Sequence, residues 1–253
     1  ISKAIKKGAK LIVSSRSNKR FKKKLIKVSD PNVFLNKFAI LKRLSCKAKI
    51  IAITGSAGKT SLKNMLKALL QRFDNTYASP KSFNNHFGVP ISLSNLDPKH
   101  KFGVFEVGMS KAGEINRLSS MIKPDLAVIT NIGEAHIENF HNMKGIAKAK
   151  SEIINNINKN GKVILNYDDK YFRFLSKKAK LKNIEVISFG KSKNSDIYPI
   201  KIKMEGNIHK LKIKVKNEII KLKVQNINIY NVLASLAIIK DLNFGSPRND
   251  QNF

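Results

Sequence analysis

The 253-residue chain has few acids, one cysteine and no long apolar run. With Cys46 as its only cysteine, no internal disulfide can form, which suits a reducing cytoplasm. No stretch approaches the roughly 18 consecutive apolar residues of a membrane span, so insertion into a membrane is not expected. No secretory signal is visible, because Ile1 is followed by a basic, mixed stretch without an apolar core segment. Starting at Ile rather than Met reads as a fragment or a processed chain. Acids are outnumbered, with 17 Asp+Glu against 49 Lys+Arg and a net charge of +32. Such an excess has two readings. It can mark a nucleic-acid or anionic-membrane partner. Alternatively, the lysines are spread along the whole chain among many Asn and Ile, and a bias toward A/T-rich codons is a sufficient cause. Either way the charge favours polyanionic small molecules such as nucleotides. The 42% hydrophobic content is enough for a packed core, and the length allows one large or two small domains.

The stretch that organises the chain runs from Ile50 to Thr60. An apolar, β-branched run meets the turn Thr54-Gly55-Ser56-Ala57-Gly58-Lys59-Thr60, and Ser61 follows. Apolar residues then recur at helical spacing, at Leu62, Met65, Leu66 and Leu69. Strand, glycine turn and helix together make a phosphate-binding loop credible. Glycines let backbone N–H groups close around oxyanions. The helix N-terminus adds unpaired donors and a partial positive charge. Lys59 is placed to reach the outer phosphates, and the Thr60 hydroxyl to hold Mg²⁺. The pattern is shorter than G-x-x-x-x-G-K-[ST], because Ile53 stands where the first glycine would be.

Residues 1 to about 47 read as the tail of a small α/β domain plus a linking helix. A short helix ends near Gly8, and strands are expected over Ala9–Val13 and Leu25–Val28. The basic tract Arg16–Lys24 reads as a solvated loop, and a helix is expected over Asn32–Leu44. The main domain opens near Ala48. Its fold class is α/β, a mostly parallel sheet flanked by helices with a small antiparallel patch. Ser79–Pro90 reads as a polar loop, either ligand-contacting or plain surface. Strands are expected over Phe102–Met109, Pro124–Thr130, Lys162–Asn166 and Ile184–Gly190. Helices are expected over Gly113–Ile122, Asn142–Asn158 and Lys170–Ala179. Alternation over Ile197–Met204, His209–Val215 and Glu218–Val224 predicts the antiparallel patch. A helix follows over Asn228–Ile239, and Asp241–Phe253 lacks periodicity.

Three polar residues break apolar patterns. Glu106 lies in a nearly all-apolar strand, where a carboxylate is costly unless paired or metal-bound. The other reading is an edge strand with the acid facing water. His136 follows the carboxyl end of a strand, where open α/β sheets bind ligands, and is either structural or a ligand. Lys150 sits on the apolar stripe of Ile146, Ile153, Ile154 and Ile157. It either needs a partner or loses its charge, or it snorkels to the rim.

These pieces together resemble the Mur ligases, most closely the MurF branch. The segments that carry the resemblance are T-G-S-A-G-K-T at 54–60, S-F-N-N-H-F-G-V-P at 82–90, E-V-G-M at 106–109, N-I-G-E-A-H at 131–136, K-A-K-S-E-I at 148–153, L-N-Y-D-D at 165–169 and N-I-Y-N-V-L-A at 228–234. The resemblance implies the end of an N-terminal UDP-substrate-binding domain and linker in residues 1–47. It implies a central ATP-binding domain, incomplete at its C-terminus, in residues 48–253, with the C-terminal ligase domain absent. The chain by itself is then expected to be inactive, though able to bind nucleotide.

The implied activity is ATP-dependent addition of D-alanyl-D-alanine to UDP-N-acetylmuramoyl-tripeptide through an acyl phosphate, in the cytoplasm, by a monomer with ATP and Mg²⁺. By resemblance, Thr54 to Ser61 hold the phosphates, and Thr60 and Glu106 hold a first Mg²⁺. His136 lies at a second. Lys150 aligns with the lysine that several Mur ligases carboxylate to a carbamate, an oxygen ligand for Mg²⁺. Asn228 and Asn231 match the adenine-recognition segment, and Ser82, Asn84 and Asn85 match the region facing the UDP-sugar peptide. Ile227 departs from the family's usual His at that position. The alternatives are a sister Mur ligase or a folylpolyglutamate synthetase-like ligase and, in a different class, a basic nucleic-acid-binding protein with a phosphate loop.

Overall fold

The computed structural model describes residues 1–135, 137–225 and 228–242. The first segment holds helix α1 (Ser2–Lys6) and strand β1 (Ile12–Ser14), then a 3-10 turn over Lys19–Lys24 and strand β2 (Leu25–Lys27). The basic tract read as loop is therefore partly helical, although every lysine in it is exposed. β1 and β2 pair in parallel as a two-stranded sheet of their own. Helix α2 (Pro31–Ser45) begins where Asp30 accepts the N–H of Asn32 at 2.7 Å, with Pro31 in the first turn where its missing N–H costs nothing. Arg43, near the end of α2, donates to the carbonyls of Ile122 (2.7 Å) and Lys123 (3.0 Å), which straps the helix onto the body that follows.

That body alternates strand and helix. In chain order it contains β3 (Lys49–Thr54), α3 (Lys59–Leu70), β4 (Thr76–Ala78), α4 (Gly88–Ser94), β5 (Phe102–Glu106), α5 (Glu114–Ile122), β6 (Leu126–Ile129) and α6 (Met143–Lys150). Then come β7 (Lys162–Asn166), α7 (Phe172–Leu181), β8 (Glu185–Phe189), β9 (Ile197–Glu205), β10 (Ile208–Val215), β11 (Glu218–Gln225) and α8 (Ile229–Asp241). The strands form one sheet in the order β11-β10-β9-β8-β7-β6-β3-β5-β4. Pairing is parallel from β4 to β9 and antiparallel from β9 to β11. The antiparallel patch is thus a ribbon continuous with the central sheet, joined to it through Phe189 opposite Ile197.

The run Ile50-Ile51-Ala52-Ile53 is buried on both faces, as parallel central strands require. Ile50 and Ala52 point into one core with Val89, Phe105 and Ile115. Ile51 and Ile53 point into the other with Leu62, Leu66 and Leu233. α3 and α8 therefore cover one face, and α2, α4, α5 and α7 contribute to the other. On the outward face of the ribbon, Lys201, Lys212 and Lys221 lie directly opposite one another, as do Lys203, Lys210 and Lys223.

One helix is unexpected, and another is shorter than expected. The loop read over Ser79–Pro90 ends at Phe87, and Gly88–Ser94 is helical. Pro90 is tolerated in the first turn, where its missing N–H would have no partner, and the Asn85 side chain accepts from the N–H groups of Phe87 and Gly88. The helix expected over Asn142–Asn158 stops at Lys150 and tightens into a 3-10 turn over Ser151–Asn156. There Ser151 donates its hydroxyl to the Lys148 carbonyl at 2.6 Å, a local bond that competes with helix continuation. The tail read as aperiodic lies almost wholly outside the described residues.

Candidate functional site

β3 lies between β5 and β6, so β4 and β5 fill one side of it and the strands from β6 onward fill the other. Ligands of open α/β sheets bind in the crevice at such a switch, at the carboxyl ends of the strands. The loop Thr54–Lys59 occupies that place. Gly55 has φ +146° and Gly58 φ +83°, both in the region that favours glycine. A Cβ on Gly55 would sit 1.9 Å from the Thr130 hydroxyl oxygen, and one on Gly58 would sit 3.1 Å from Asn231 Oδ1. The loop therefore needs glycine at both positions.

The N–H groups of Ser56 and Ala57 donate to Asn131 Oδ1, at 3.1 and 2.9 Å. The amide oxygen thus holds donors that can also serve an anionic oxygen. Among the described residues, no side chain caps the N-terminus of α3. Lys59 donates to the Gly55 carbonyl at 2.7 Å, and burial pulls its ammonium below the ordinary value while Glu106 draws it back up. The buried Thr54 hydroxyl oxygen has no hydrogen-bond partner among the described residues. Ser61 is exposed on the first turn of α3.

Glu106 closes one side of this loop. It is 1% exposed, which removes the reading of an acid facing water. Its Oε2 accepts the Thr60 hydroxyl at 2.8 Å, and its Oε1 accepts the Asn84 side-chain amide at 2.7 Å. Among the described residues no three His, Cys, Asp or Glu gather as a metal cluster. One carboxylate and one hydroxyl beside a phosphate loop are what Mg²⁺ takes from a protein when it keeps its other positions for phosphate and water, so the residues present fit that ion.

Two cavities flank the loop. The larger, about 660 Å³, is lined by Gly55, Lys59, Asn84, Asn85, Arg117 and Lys150 among others. Lys150 is 2% exposed, so it does not snorkel. Burial first, and the nearby Lys59 charge second, lower its pKa to about 8. Asn85 lines this cavity while its Oδ1 holds α4, and Ser82 is exposed in the same loop. The smaller cavity, about 360 Å³, lies on the other side, between Ala57, Gly58, Asp168, Asn228, Tyr230 and Asn231. Asn231 is buried with its side-chain amide 3.4 Å from the Gly58 carbonyl, and Asn228 caps α8 by accepting the Tyr230 N–H at 2.9 Å.

The structure thus brings the phosphate-loop residues, Glu106, Lys150, Asn84, Asn85 and Asn231 around one crevice. His136 and Ile227 lie outside the described residues. Sequence reasoning placed Asn131 in a motif but gave it no role, and it passed over Arg117 and Lys63. Lys63 is the one with a readable signal, since it shares a helical face with Leu66 and Leu70, at i+3 and i+7.

Comparison with known proteins identifies the family and the fold that carry this crevice. The Mur ligase middle domain matches residues 53–239. The UDP-N-acetylmuramoyl-tripeptide–D-alanyl-D-alanine ligase of Rickettsia prowazekii is 43% identical over 194 residues, covering 76% of this chain and 43% of that protein. The enzyme of the same name from Buchnera aphidicola is 39% identical over 204 residues, covering 81% and 45%. The crystal structure of MurF from Acinetobacter baumannii superposes with a TM-score of 0.84 at 27% identity, covering 98% of this chain and 54% of that one. The chain spans less than half the length of these two curated relatives. With a family match over well more than half its residues, and the phosphate loop and Glu106 in place beneath it, the chain belongs to the Mur ligases.

Proposed function

We propose that this chain is the nucleotide-binding part of a cytoplasmic, monomeric ligase that uses ATP and Mg²⁺ to join D-alanyl-D-alanine to UDP-N-acetylmuramoyl-tripeptide in peptidoglycan precursor synthesis. The observation that carries the reading is the Thr60–Glu106 pair beside a glycine-built phosphate loop, in a chain whose curated relatives bear that enzyme's name. Residues 1–47 are assigned to the end of a UDP-substrate-binding domain with its linker, and residues 48–253 to the central domain. The family's last domain is assigned to a region outside this chain.

In the proposed reaction the terminal phosphoryl group of ATP passes to the peptide carboxylate, and the incoming amine then displaces phosphate to leave the amide. The residues must hold several anions close together. The loop amides and the start of α3 supply fixed donors, and Lys59 exchanges the Gly55 carbonyl for a phosphate oxygen. Thr60 and Glu106 would hold Mg²⁺, which supplies countercharge to the phosphates when bound. Asn228 and Asn231 line the side assigned to the nucleoside, and Asn84 and Asn85 the side assigned to the peptide substrate, with Ser82 exposed in the same loop. His136 is assigned to a second ion by resemblance. The depressed pKa of Lys150 supports carboxylation. Its neutral amine can form an N–C bond to CO₂ and release a proton.

The test is turnover of the intact protein with ATP, the UDP-linked tripeptide and each candidate amine. Phosphate release dependent on D-alanyl-D-alanine is expected. Turnover with a single amino acid but not the dipeptide overturns the substrate assignment.

A further inference from the structure

Lys63 lies one turn beyond Lys59 on α3 and is 1% exposed. A buried ammonium is costly unless its charge and its donors are used. Both are used here. The Lys63 ammonium donates to the main-chain carbonyl of Lys81 and lies 3.8 Å from Glu106 Oε2. It is the one cation in ion-pair contact with Glu106 among the described residues. Its first partner is unusual, because Lys81 has φ +44°, a left-handed conformation that a non-glycine residue rarely adopts. Such strain persists where surrounding contacts over-determine it.

The contacts converge on one carboxylate. Glu106 accepts from Thr60 on the phosphate side and from Asn84 on the loop side. Its own N–H donates to the Ser79 hydroxyl at 3.3 Å, and the Gly108 N–H donates to the Asn84 carbonyl at 2.8 Å. Ser79, Lys81 and Asn84 belong to the loop after β4. Lys63 is the member of this network that reaches both the loop backbone and the carboxylate.

We infer that Lys63 is a positioning residue for the divalent-ion site: its ammonium latches the Lys81 carbonyl and Glu106 into one arrangement, so that the carboxylate is already aimed when an ion arrives. The inference rests on the nucleotide and Mg²⁺ reading above. It assigns Lys63 no contact with substrate, and it predicts where its loss is felt. Glu106 acts on a nucleotide through the ion, whereas the loop amides and Lys59 act on it directly. Loss of Lys63 therefore weakens the ion-dependent part of nucleotide affinity and spares the rest. A simple counter-charge would behave oppositely, since removing it relieves repulsion on the incoming ion.

The experiment uses the 253-residue chain and its Lys63→Met variant. ADP binding is titrated calorimetrically with Mg²⁺ and with chelator, and backbone hydrogen exchange is followed over residues 79–88 with neither ADP nor metal. The expected result is unchanged ADP affinity in chelator, an enhancement by Mg²⁺ reduced about 10–100-fold, and faster exchange confined to 79–88. Glu106→Gln should lose the same enhancement. Equal losses with and without Mg²⁺, an intact enhancement, or a larger one overturns the inference. Lys63→Gln, which keeps a donor, is read the same way if Lys63→Met does not fold. If the wild-type chain binds no ADP in either condition, the nucleotide reading fails, and the exchange measurement alone decides the latch: unchanged exchange over 79–88 overturns it.

Discussion

Lys150 and Lys59 present two ammonium groups to the same cavity, and burial together with the Lys59 charge holds Lys150 at about 8 rather than 10.5. Below that value the amine is charged in both folded and unfolded chains, and the cost of burying the charge is fully present. Between it and the ordinary value the unfolded chain binds more protons, so stability rises with pH across that window. The shift is worth on the order of 3 kcal/mol. Lys150→Met should flatten the rise relative to wild type in urea unfolding at about pH 7 and about pH 10. Parallel wild-type and variant curves would contradict the buried charge.

The same depressed value leaves a reactive fraction of neutral amine near neutral pH. A carbamate on Lys150 should therefore appear as a new ¹³C carbonyl resonance when the chain is equilibrated with labelled bicarbonate. Lys150→Met should lack that signal, and added short carboxylic acids should partly restore activity to Lys150→Ala in the intact enzyme. A signal that persists in Lys150→Met assigns the carbamate elsewhere.

Lys59 and Lys148 carry the same charge in very different places. Lys59 touches the loop carbonyl of Gly55, whereas Lys148 is exposed on α6. Lys59→Ala should lower ADP affinity by about tenfold or more and abolish turnover of the intact enzyme. Lys148→Ala should leave both within about twofold. Matching losses would show that the site responds to net charge alone.

Gly55→Ala should destabilise the chain by about 2 kcal/mol or more, because the new Cβ would collide with Thr130 at a backbone angle alanine avoids. Thermal unfolding measures this directly. Gly206→Ala, at another positive φ but with no described atom within 4 Å of the added carbon, should cost less. Equal costs would mean that conformation, not space, dominates at Gly55.

On the ribbon, Lys212 faces Lys201 on one side and Lys221 on the other. Like charges directly opposite are unfavourable, so Lys212→Glu should stabilise the chain by on the order of 0.5 kcal/mol at low salt. The gain should shrink as salt screens the charges. Melting temperatures at two ionic strengths check both parts.

Local pattern announced much of this arrangement. The phosphate loop was legible because strand, glycine turn and helix are neighbours in sequence, and the antiparallel ribbon because period-2 alternation needs no partner to be seen. Glu106 and Lys150 stood out as charges in apolar stripes. What escaped depends on distance along the chain. The bond between Lys63 and Lys81, the pairing of Asn84 with Glu106, and the hold of Asn131 on Ser56 and Ala57 each join segments that no periodicity relates. The helix Gly88–Ser94 was hidden by the proline in its first turn, and the end of α6 by a single serine hydroxyl.

Helix α8 touches two distant parts of the molecule. Asn231, in its first turn, rests against Gly58, while its apolar side packs with Leu211, Ile213 and Val215 of the ribbon. One helix therefore carries both the asparagine beside the loop and part of the apolar seam under the ribbon, so the two regions are held in register by the same element. The ribbon's first strand also begins at Ile197, opposite Phe189 of the smaller cavity wall, so ribbon and crevice share both a helix and a strand junction.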